Sequence, residues 1–178
     1  SLYIDGNIKL IDDPLPILQK YSNSIISAPL HPERACIYDE ANFLIVNQII
    51  DKDKIEKKLK ILKENKYPKN NGLNEFNILL RHHNNPKIIN IMEEIWKLYL
   101  KYLTRDQLIC NYVIWKHNLN INRIYESARI KNKFFKAIPH NKNYSIIRKT
   151  FNIFWYRRYH NRFNYFLSKI IIKLRSNF

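Results

Sequence analysis

The chain has 178 residues, of which 46% are apolar and 13% aromatic, so it can bury a core of its own without disulfides and is not intrinsically disordered. Its net charge of +16 suggests an anionic partner, but 14 of its 31 lysine and arginine residues lie between 119 and 178, where Glu126 is the only acid. The sequence has no apolar run long enough to cross a membrane, and no Cys/His cluster surrounds Cys36 or Cys110, which argues against structural zinc.

The first residues predict two short strands around a turn. Leu2–Ile4 and Ile8–Ile11 are apolar segments on either side of Asp5, Gly6 and Asn7. Asp-Gly between two apolar segments is a strong hairpin signal, and on this motif alone the turn is the better-supported interpretation. A carboxylate at the end of a strand, with a second oxygen ligand two residues later, could instead hold a divalent cation. Because a strand starts so close to the first residue, we also expect further sequence upstream.

Further along, apolar residues recur at helical spacing in several segments, and shorter apolar segments predict strands. The predicted helices cover residues 12–21, 32–50, 51–65, 86–103, 104–117 and 123–133, with more helix after 144. The predicted extended segments cover 24–30 and 75–83, and residues 66–73 predict a loop. This mixture is typical of a helix-rich α/β fold.

The segment HPERACIYDEA, residues 31–41, falls in the second predicted helix. There Arg34 and Tyr38 would share one face, and Glu40 would lie beside apolar residues such as Ile37. Partial burial would favour the neutral form of Glu40 and suit it to acid–base work on an acceptor hydroxyl. In the alternative interpretation, Glu40 is a structural residue at the rim that pairs with Arg34 or a lysine.

The segment GLNEFNILLRHHN, residues 72–84, contains the predicted strand 75–83. Arg81 and His83 would point to one side of this strand and His82 to the other, so the adjacent histidines are poorly placed to share a metal. Arg81 and His83 at the end of a strand suit phosphate or sugar hydroxyls, although they could also be a solvated strand end. Gly72 is one of only two glycines, so we expect it where the backbone geometry requires glycine.

The segment TRDQLICNYVIWKH, residues 104–117, predicts a helix with a capping box. Thr104 would cap the helix together with Gln107, and Asp106 would occupy the second helical position, where the helix dipole favours a carboxylate. The same geometry would hold Arg105 and Asp106 at the start of the helix, where an anionic or polyhydroxyl ligand could bind. The two interpretations are compatible.

The basic end of the chain predicts an amphipathic helix. Aromatic and apolar residues recur there every three or four positions, beside a row of basic residues. Such a helix could bind an anionic membrane surface, bind RNA through phosphate contacts and stacked bases, or pack on the domain with a solvated basic side. The apolar set is Trp155, Tyr159, Phe163, Phe166, Ile170 and Leu174, and the basic set is Arg158, Arg162, Lys169 and Lys173.

Taken in order, four segments resemble a family of glycosyltransferase-like proteins linked to plant cell-wall and mucilage polysaccharides and to bacterial polysaccharide clusters. The segments are YIDGN at 3–7, HPERACIYDEA at 31–41, YPKNNGLNEFNILLRHHN at 67–84 and TRDQLICNYVIWK at 104–116. The resemblance covers about residues 2–117 and implies a helix-rich α/β domain of GT-A-like fold. In GT-A enzymes the nucleotide-binding strands and helices precede the metal motif, so this chain is expected to lack that N-terminal half. We expect a catalytic part at 1–118 and a basic, aromatic-rich helical segment at 119–178.

The resemblance implies an enzyme that transfers a sugar from a nucleotide-sugar donor to a glycan acceptor, with Mn²⁺ or Mg²⁺ as cofactor. Asp5 and Asn7 would stand for the Asp-x-Asp metal motif, from which Asn7 departs. Asp106 and Gln107 are similar to the Asp-Gln pair of glycogenin-like retaining transferases and would lie beside the reacting sugar. Asp106 and Glu40 would be the catalytic residues, which position or deprotonate the acceptor hydroxyl.

Further matched positions are expected to contact the substrates: His31, Arg34, Gly72, Glu75, Arg81, His83, Arg105 and Gln107. One cleft is predicted to be lined by Asp5, Glu40, Arg81 and Asp106. A cytoplasmic location is expected, with peripheral membrane contact through residues 155–174. Two alternatives remain open. One is a basic module that binds RNA or DNA, which is less favoured because the excess charge is confined to the tail, and the other is an inactive remnant of a glycosyltransferase.

Overall fold

The computed structural model describes residues 1–47, 49–102, 105–138, 154 and 158–170, together with the backbone of 171–175. This part of the chain contains six helices and six strands. Its residues group into two units by their contacts. The first unit comprises Ser1–Tyr3 and Lys20–Tyr125, and the second comprises Ile4–Gln19 and Glu126–Phe178.

The strands and helices are short and alternate along the chain. The strands are β1 (Leu2–Ile4), β2 (Ile8–Leu10), β3 (Ile26–Pro29), β4 (Ile78–Arg81), β5 (Asn122–Ile124) and β6 (Phe135–Ala137). The helices are α1 (Leu15–Lys20), α2 (Ile37–Val46), α3 (Lys52–Glu64), α4 (Pro86–Tyr102), α5 (Asp106–Lys116) and α6 (Arg162–Arg175).

The larger sheet has four strands in the order β1, β4, β3, β5. β3 runs antiparallel to β4, with Ile26 opposite Arg81, and parallel to β5. All four residues of β3 are buried, as expected of a strand that is covered on both faces. Just beyond β3, Leu30 bridges to Asn74, which precedes β4. The segment after β3 and the segment before β4 therefore lie at the same end of the sheet.

Helices α2 to α5 contribute most of the apolar core of the first unit. α5 is buried continuously from Gln107 to Ile114, which is the pattern of a helix enclosed on all sides. α3 begins where the Asp51 side chain accepts a hydrogen bond from the backbone N of Asp53 at 2.9 Å. α4 begins with Pro86, whose fixed φ suits the first helical turn. The buried helix α5 and the well-defined starts of α3 and α4 hold the first unit's helices in place around the candidate site.

The second unit contains a two-stranded antiparallel sheet and is formed by residues from both ends of the chain. β2 pairs with β6, so that Ile8 lies opposite Ala137 and Leu10 opposite Phe135. Phe135 is buried in this unit. Close to the sheet, the Lys133 Nζ lies 3.1 Å from Asp12 Oδ2. Helices α1, except for its last residue, and α6 belong to the same unit.

Several predicted elements are confirmed, and others begin or end elsewhere. α1, α3 and α4 agree with the predicted helices to within a few residues. α2, in contrast, begins at Ile37 rather than at residue 32, so Arg34 lies in the preceding loop and shares no helix face with Tyr38. The predicted strand 75–83 is reduced to β4, so His83 lies beyond the strand.

The hairpin predicted around Asp5 is wrong, although the turn itself is present. The backbone N of Ile8 donates to Asp5 O at 2.8 Å and closes the turn. The strands on either side, however, pair with different partners, β1 with β4 and β2 with β6. A strong local turn signal therefore fixed the turn but not the strand pairing.

The helix predicted at 123–133 is also wrong, because these residues form β5 and a loop that leads to β6. The Asn132 side chain holds this loop by donating to Ser127 O at 2.8 Å and by accepting from the backbone N of Phe134 and Phe135. Side chains that bond to nearby backbone groups compete with helix formation in this way. The helix predicted after residue 144 is represented by α6, whereas residues 139–153 lie outside the described residues.

Candidate functional site

Glu40 is the centre of a buried charge cluster in the first unit. Its side chain is fully buried, and its Oε2 accepts a hydrogen bond from Arg34 Nε. Its Oε1 lies 3.2 Å from Arg105 Nε, which is an ion pair without the geometry of a good hydrogen bond. The interpretation in which Glu40 pairs with Arg34 is thus confirmed, although Glu40 lies inside the protein and not at the rim. Two guanidinium groups meet one buried carboxylate.

The two arginines reach Glu40 from the starts of two helices. Because α2 begins only at Ile37, the loop before it turns Arg34 back towards the helix, where its guanidinium lies 4.1 Å from the centroid of the Phe43 ring. Arg105 is the N-cap residue of α5, and its Nε donates to Gln107 Oε1 at 2.8 Å. The predicted capping box depends on Thr104, which lies outside the described residues; the helix begins at Asp106, which is thus its first residue and not its second.

His31 and Glu75 extend the cluster along the end of the sheet. The buried His31 ring lies with its Nε2 2.6 Å from Arg34 Nη2 and 3.9 Å from Glu75 Oε1. On the other side of the ring, Nδ1 accepts from the backbone N of Glu33 and of Arg34, at 3.2 and 3.0 Å. A neutral imidazole has only one acceptor nitrogen. With Nδ1 as the acceptor, Nε2 carries the proton, so Arg34 Nη2 gains no good hydrogen bond from His31.

Asp106 lies at the first position of α5, next to the cluster in sequence. Its side chain is exposed, whereas that of Gln107 is buried and bonded to Arg105. A carboxylate in the first turn of a helix is stabilised by the helix dipole. The structure thus places the two residues of the predicted Asp-Gln pair in different environments, with Asp106 exposed and Gln107 buried.

Arg81 and His83 lie away from this cluster. Arg81 is the last residue of β4 and faces Ile26, the first residue of β3, whereas His31 follows the last residue of β3. At about 3.3 Å per residue, a strand of this length separates the two ends by more than 10 Å. The prediction that Arg81 joins Glu40 and Asp106 in one cleft is therefore wrong. His83 is an exposed residue of the turn that follows β4.

Two adjoining pockets open beside the charge cluster. The charged pocket, of about 380 Å³, includes His31, Glu33 and Arg34. The amide pocket, of about 580 Å³, is lined by uncharged residues, among them five asparagines. Leu30 and Gly72 line both pockets. Gly72 has φ of +79°, so its position requires glycine, as predicted.

The amide pocket was not predicted from the sequence. Its polar lining comes from Asn71, Asn74, Asn111, Asn118 and Asn120, and its aromatic lining comes from Tyr67 and Trp115. One signal was available, because Asn111 interrupts the apolar run of α5, and a polar residue in a buried helix is informative. Asn118 gave no such signal; its φ of +49°, just past the end of α5, is visible only in the structure.

Asp5 and Asn7, the predicted metal ligands, lie on the turn between β1 and β2. Both are half-buried, and the backbone O of Asn7 accepts from Ile138 N at 2.8 Å, so the turn is held in place. They offer one carboxylate and one carboxamide, and the described residues contain no group of three His, Cys, Asp or Glu that could hold a metal. This donor set fits Mg²⁺ or Mn²⁺ where phosphate oxygens and water complete the coordination. The metal remains a prediction.

The tail is only partly an amphipathic surface helix. Phe163 and Phe166 of α6 are exposed, as are the basic side chains Arg162 and Lys169. Arg158, predicted to belong to the basic face, is instead buried, with 3% of its surface exposed. Within the described ranges, no helix has both the length and the apolar character needed to cross a membrane.

The described residues form a mixed α/β protein with two adjoining pockets in its first unit. The chain belongs to the TOD1/MUCI70 glycosyltransferase-like domain family, whose model matches residues 1–142. The predicted family is confirmed, and the match extends beyond residue 117 to include β6. Both pockets and the charge cluster lie within it. No curated protein and no solved structure matches the chain.

Proposed function

We propose that this protein is a glycosyltransferase that moves a sugar from a nucleotide-sugar donor to a glycan acceptor. Family membership supports the class of reaction. The observation that carries the proposal is the buried contact of Glu40 with Arg34 and Arg105, next to a pocket that includes Arg34. Desolvation offsets most of the Coulombic gain of a buried ion pair, so such a cluster is poorly explained by stability alone.

The charge balance of the cluster bears on how a diphosphate would bind. Two arginines, Arg34 and Arg105, stand beside four acids, Glu33, Glu40, Glu75 and Asp106. This acidic excess would repel a nucleotide diphosphate that arrived without a cation. The proposal therefore includes Mn²⁺ or Mg²⁺, with Asp5 and Asn7 as its protein ligands. When bound, the ion would neutralise the charge that develops on the departing diphosphate.

The protein side chains have distinct roles in this proposal. Asp106 is the catalytic residue, because its exposed carboxylate can contact the acceptor hydroxyl or the reacting sugar. Glu40 is a positioning residue, because it is fully buried and holds the guanidinium groups of Arg34 and Arg105. The Nε of Arg34 is held by Glu40, and its Nη2 can turn from His31 to a phosphate of the donor.

The test is the release of nucleoside diphosphate from a panel of nucleotide sugars, with and without Mn²⁺. The full-length protein is compared with its Asp106→Asn, Glu40→Gln and Asp5→Ala variants. We expect Asp106→Asn to lower turnover by about 100-fold, since a positioned acid or base typically contributes at least that much. Glu93→Gln is the matched control, because Glu93 is exposed on α4.

The outcomes separate the proposal from its alternatives. Turnover that is unchanged in both Asp106→Asn and Asp5→Ala removes the mechanism. A protein that folds but neither binds nor hydrolyses any nucleotide sugar is an inactive remnant. A nucleic-acid-binding module would instead show tight, steeply salt-dependent binding of oligonucleotides that is lost on deletion of residues 145–178.

A further inference from the structure

The amide pocket is polar without being charged. Its volume of about 580 Å³ lies within the range of small-molecule binding sites. Carboxamides supply its polar groups, and each offers two N–H donors and one carbonyl acceptor in a plane. Such groups match the alternating donors and acceptors of sugar hydroxyls. A phosphate or a uronate carboxylate would find no opposite charge among the lining residues.

Asn74 shows that the pocket is prepared for a polar ligand. Only 8% of its surface is exposed, and its backbone is fully engaged, since Asn74 N donates to Asn111 Oδ1 at 3.0 Å and Asn74 O accepts from Asn111 Nδ2 at 3.3 Å. Its own side-chain amide makes no hydrogen bond within the described residues and lines the pocket. This amide is not among the fully buried side-chain groups that lack a partner, so water reaches it, and a ligand that enters the pocket can take that water's place.

Asn111 fixes the position of Asn74. Besides its two bonds to Asn74, the Asn111 side chain donates to Gln107 O at 3.0 Å, one turn earlier in α5. The backbone of Asn74 is therefore held by a side chain whose own hydrogen-bonding groups are used. Because α5 is enclosed in the core, this support is rigid. The pocket is preorganised, which reduces the entropy that binding would cost.

An aromatic surface completes the pocket. The half-buried Trp115 meets the buried Tyr67 edge-on, with their ring centroids 5.0 Å apart. Asn71 Nδ2 donates to the Tyr67 hydroxyl at 3.3 Å, which fixes that ring. A rigid indole presents a large apolar area beside polar groups, a combination that suits the apolar C–H face of a pyranose. The polar and the apolar residues that line the pocket thus both suit a sugar.

The junction with the charged pocket is open. Gly72 lines both pockets, and a Cβ atom added there would have no atom within 4 Å. A sugar in the amide pocket and an anionic group near Arg34 can therefore approach one another. We propose that the amide pocket binds a neutral glycan and, resting on the proposed function, that this glycan is the acceptor of the transferred sugar.

The test measures glycan binding without any donor. The full-length protein is titrated, by NMR saturation transfer and calorimetry, with neutral gluco-, manno-, galacto- and xylo-oligosaccharides and with oligogalacturonates. We expect at least one neutral oligosaccharide to bind more tightly than the oligogalacturonates. Asn74→Ala should weaken that binding at least 10-fold, and Trp115→Ala should do the same. The matched controls are Asn90→Ala and Trp96→Ala, both exposed on α4, which should leave the affinity unchanged.

Each outcome decides the inference. It is overturned if no neutral oligosaccharide binds, if the charged ones bind better, or if Asn74→Ala and Trp115→Ala bind like the unaltered chain. Asn74→Ala preserves the backbone bonds to Asn111, so it keeps the test valid should Trp115→Ala fold poorly. Donor hydrolysis is assayed separately. Neutral-glycan binding by a protein that neither binds nor hydrolyses a nucleotide sugar would refute the proposed transferase but support the pocket, whereas turnover of a nucleotide sugar without glycan binding would do the reverse.

Discussion

Two buried ionisable side chains of the first unit, Glu40 and Lys58, are accommodated in opposite ways. Glu40 contacts two guanidinium groups. Lys58 is only 1% exposed, and its Nζ makes no hydrogen bond to the described residues. The rings of Tyr112 and Tyr102 lie 4.5 and 5.5 Å from it. Burial lowers the pKa of Lys58 to about 8, against the opposing effect of the Glu94 charge.

The contrast between the partners of Glu40 and those of Lys58 shows that burial of an ionisable side chain does not by itself indicate a functional role. Glu40 holds Arg34, which lines the charged pocket, so its interactions have a role beyond the stability of the fold. Lys58 meets aromatic faces, and a cation–π contact replaces only part of the hydration that an ammonium group loses. We therefore expect removal of the Glu40 charge to destabilise the protein and removal of the Lys58 charge to stabilise it.

The largest effect is expected for Glu40→Gln. Without the carboxylate, Arg34 and Arg105 face each other with no shared counter-charge, and we expect a loss of about 2–4 kcal/mol in the free energy of unfolding. Urea denaturation measures it, with Glu93→Gln as the control. A variant as stable as the unaltered chain would show that the arginines do not depend on Glu40.

An effect of opposite sign is expected for Lys58→Met. Methionine fills a similar volume without a charge, so the free energy of unfolding should rise by about 1–3 kcal/mol. Lys57→Met, at an exposed position of the same helix, is the matched control and should change stability little. If Lys58→Met is less stable than the unaltered chain, the cation–π contacts of Lys58 outweigh the cost of burying its charge.

The pH dependence sharpens the same comparison. Since the folded-state pKa of Lys58, about 8, lies below the ordinary value of 10.5, the unfolded chain binds more protons between these values. Stability should therefore rise with pH above about 8, and this rise should be absent in Lys58→Met. Denaturation of the unaltered chain and of Lys58→Met at about pH 7.5 and 9 measures it as a difference, because the ionisation of cysteines and tyrosines contributes to both chains alike.

The smallest effect is expected for Glu94→Gln, a partly exposed counterpart of Glu40. Glu94 accepts from Lys116 Nζ and lies beside His117 Nε2, both at 2.7 Å, and so links α4 to α5. Burial raises the pKa of Glu94, but hydrogen bonds from Lys116 and His117 outweigh it and lower the pKa below 4.5. The stability that the ionised Glu94 contributes is therefore fully present above pH 4.5, its ordinary pKa, and is lost as the pH falls through the lowered pKa.

Because this pair is solvated, we expect Glu94→Gln to cost only about 0.5–1 kcal/mol at neutral pH, and less in acid. Thermal unfolding at neutral pH and at about pH 3.5 gives both values. A loss as large as that of Glu40→Gln would break the distinction between the buried pair and the exposed one.

The sequence predicted the local elements better than their arrangement. Helix α3 follows from its Asp51 cap and from Ile55, Leu59 and Leu62 at helical spacing. The same spacing places Lys58 between Ile55 and Leu62, and a lysine is rarely buried in a protein unless it is paired. Burial here depends on α4 and α5, which contribute Tyr102 and Tyr112 from distant parts of the chain.

The candidate site was predicted in part, for a similar reason. The pairing of Arg34 with Glu40 was one of two interpretations left open for a segment in which the two residues are close in sequence. The separation of Arg81 from Glu40 depends on strand pairing, which a single strand pattern does not specify. The amide pocket combines Asn74 with Asn111, which are far apart in the chain, so only the fold reveals it.

The edge-on contact of Trp115 with Tyr67 has a practical consequence. The chain has three tryptophans, and Trp96 is 58% exposed, so its emission reports mainly on bulk water. Trp115, in contrast, lies in the wall of the amide pocket. With Trp96 and Trp155 replaced by phenylalanine, the remaining indole becomes an intrinsic optical reporter, and occupancy can be followed by fluorescence in a chain that carries no label.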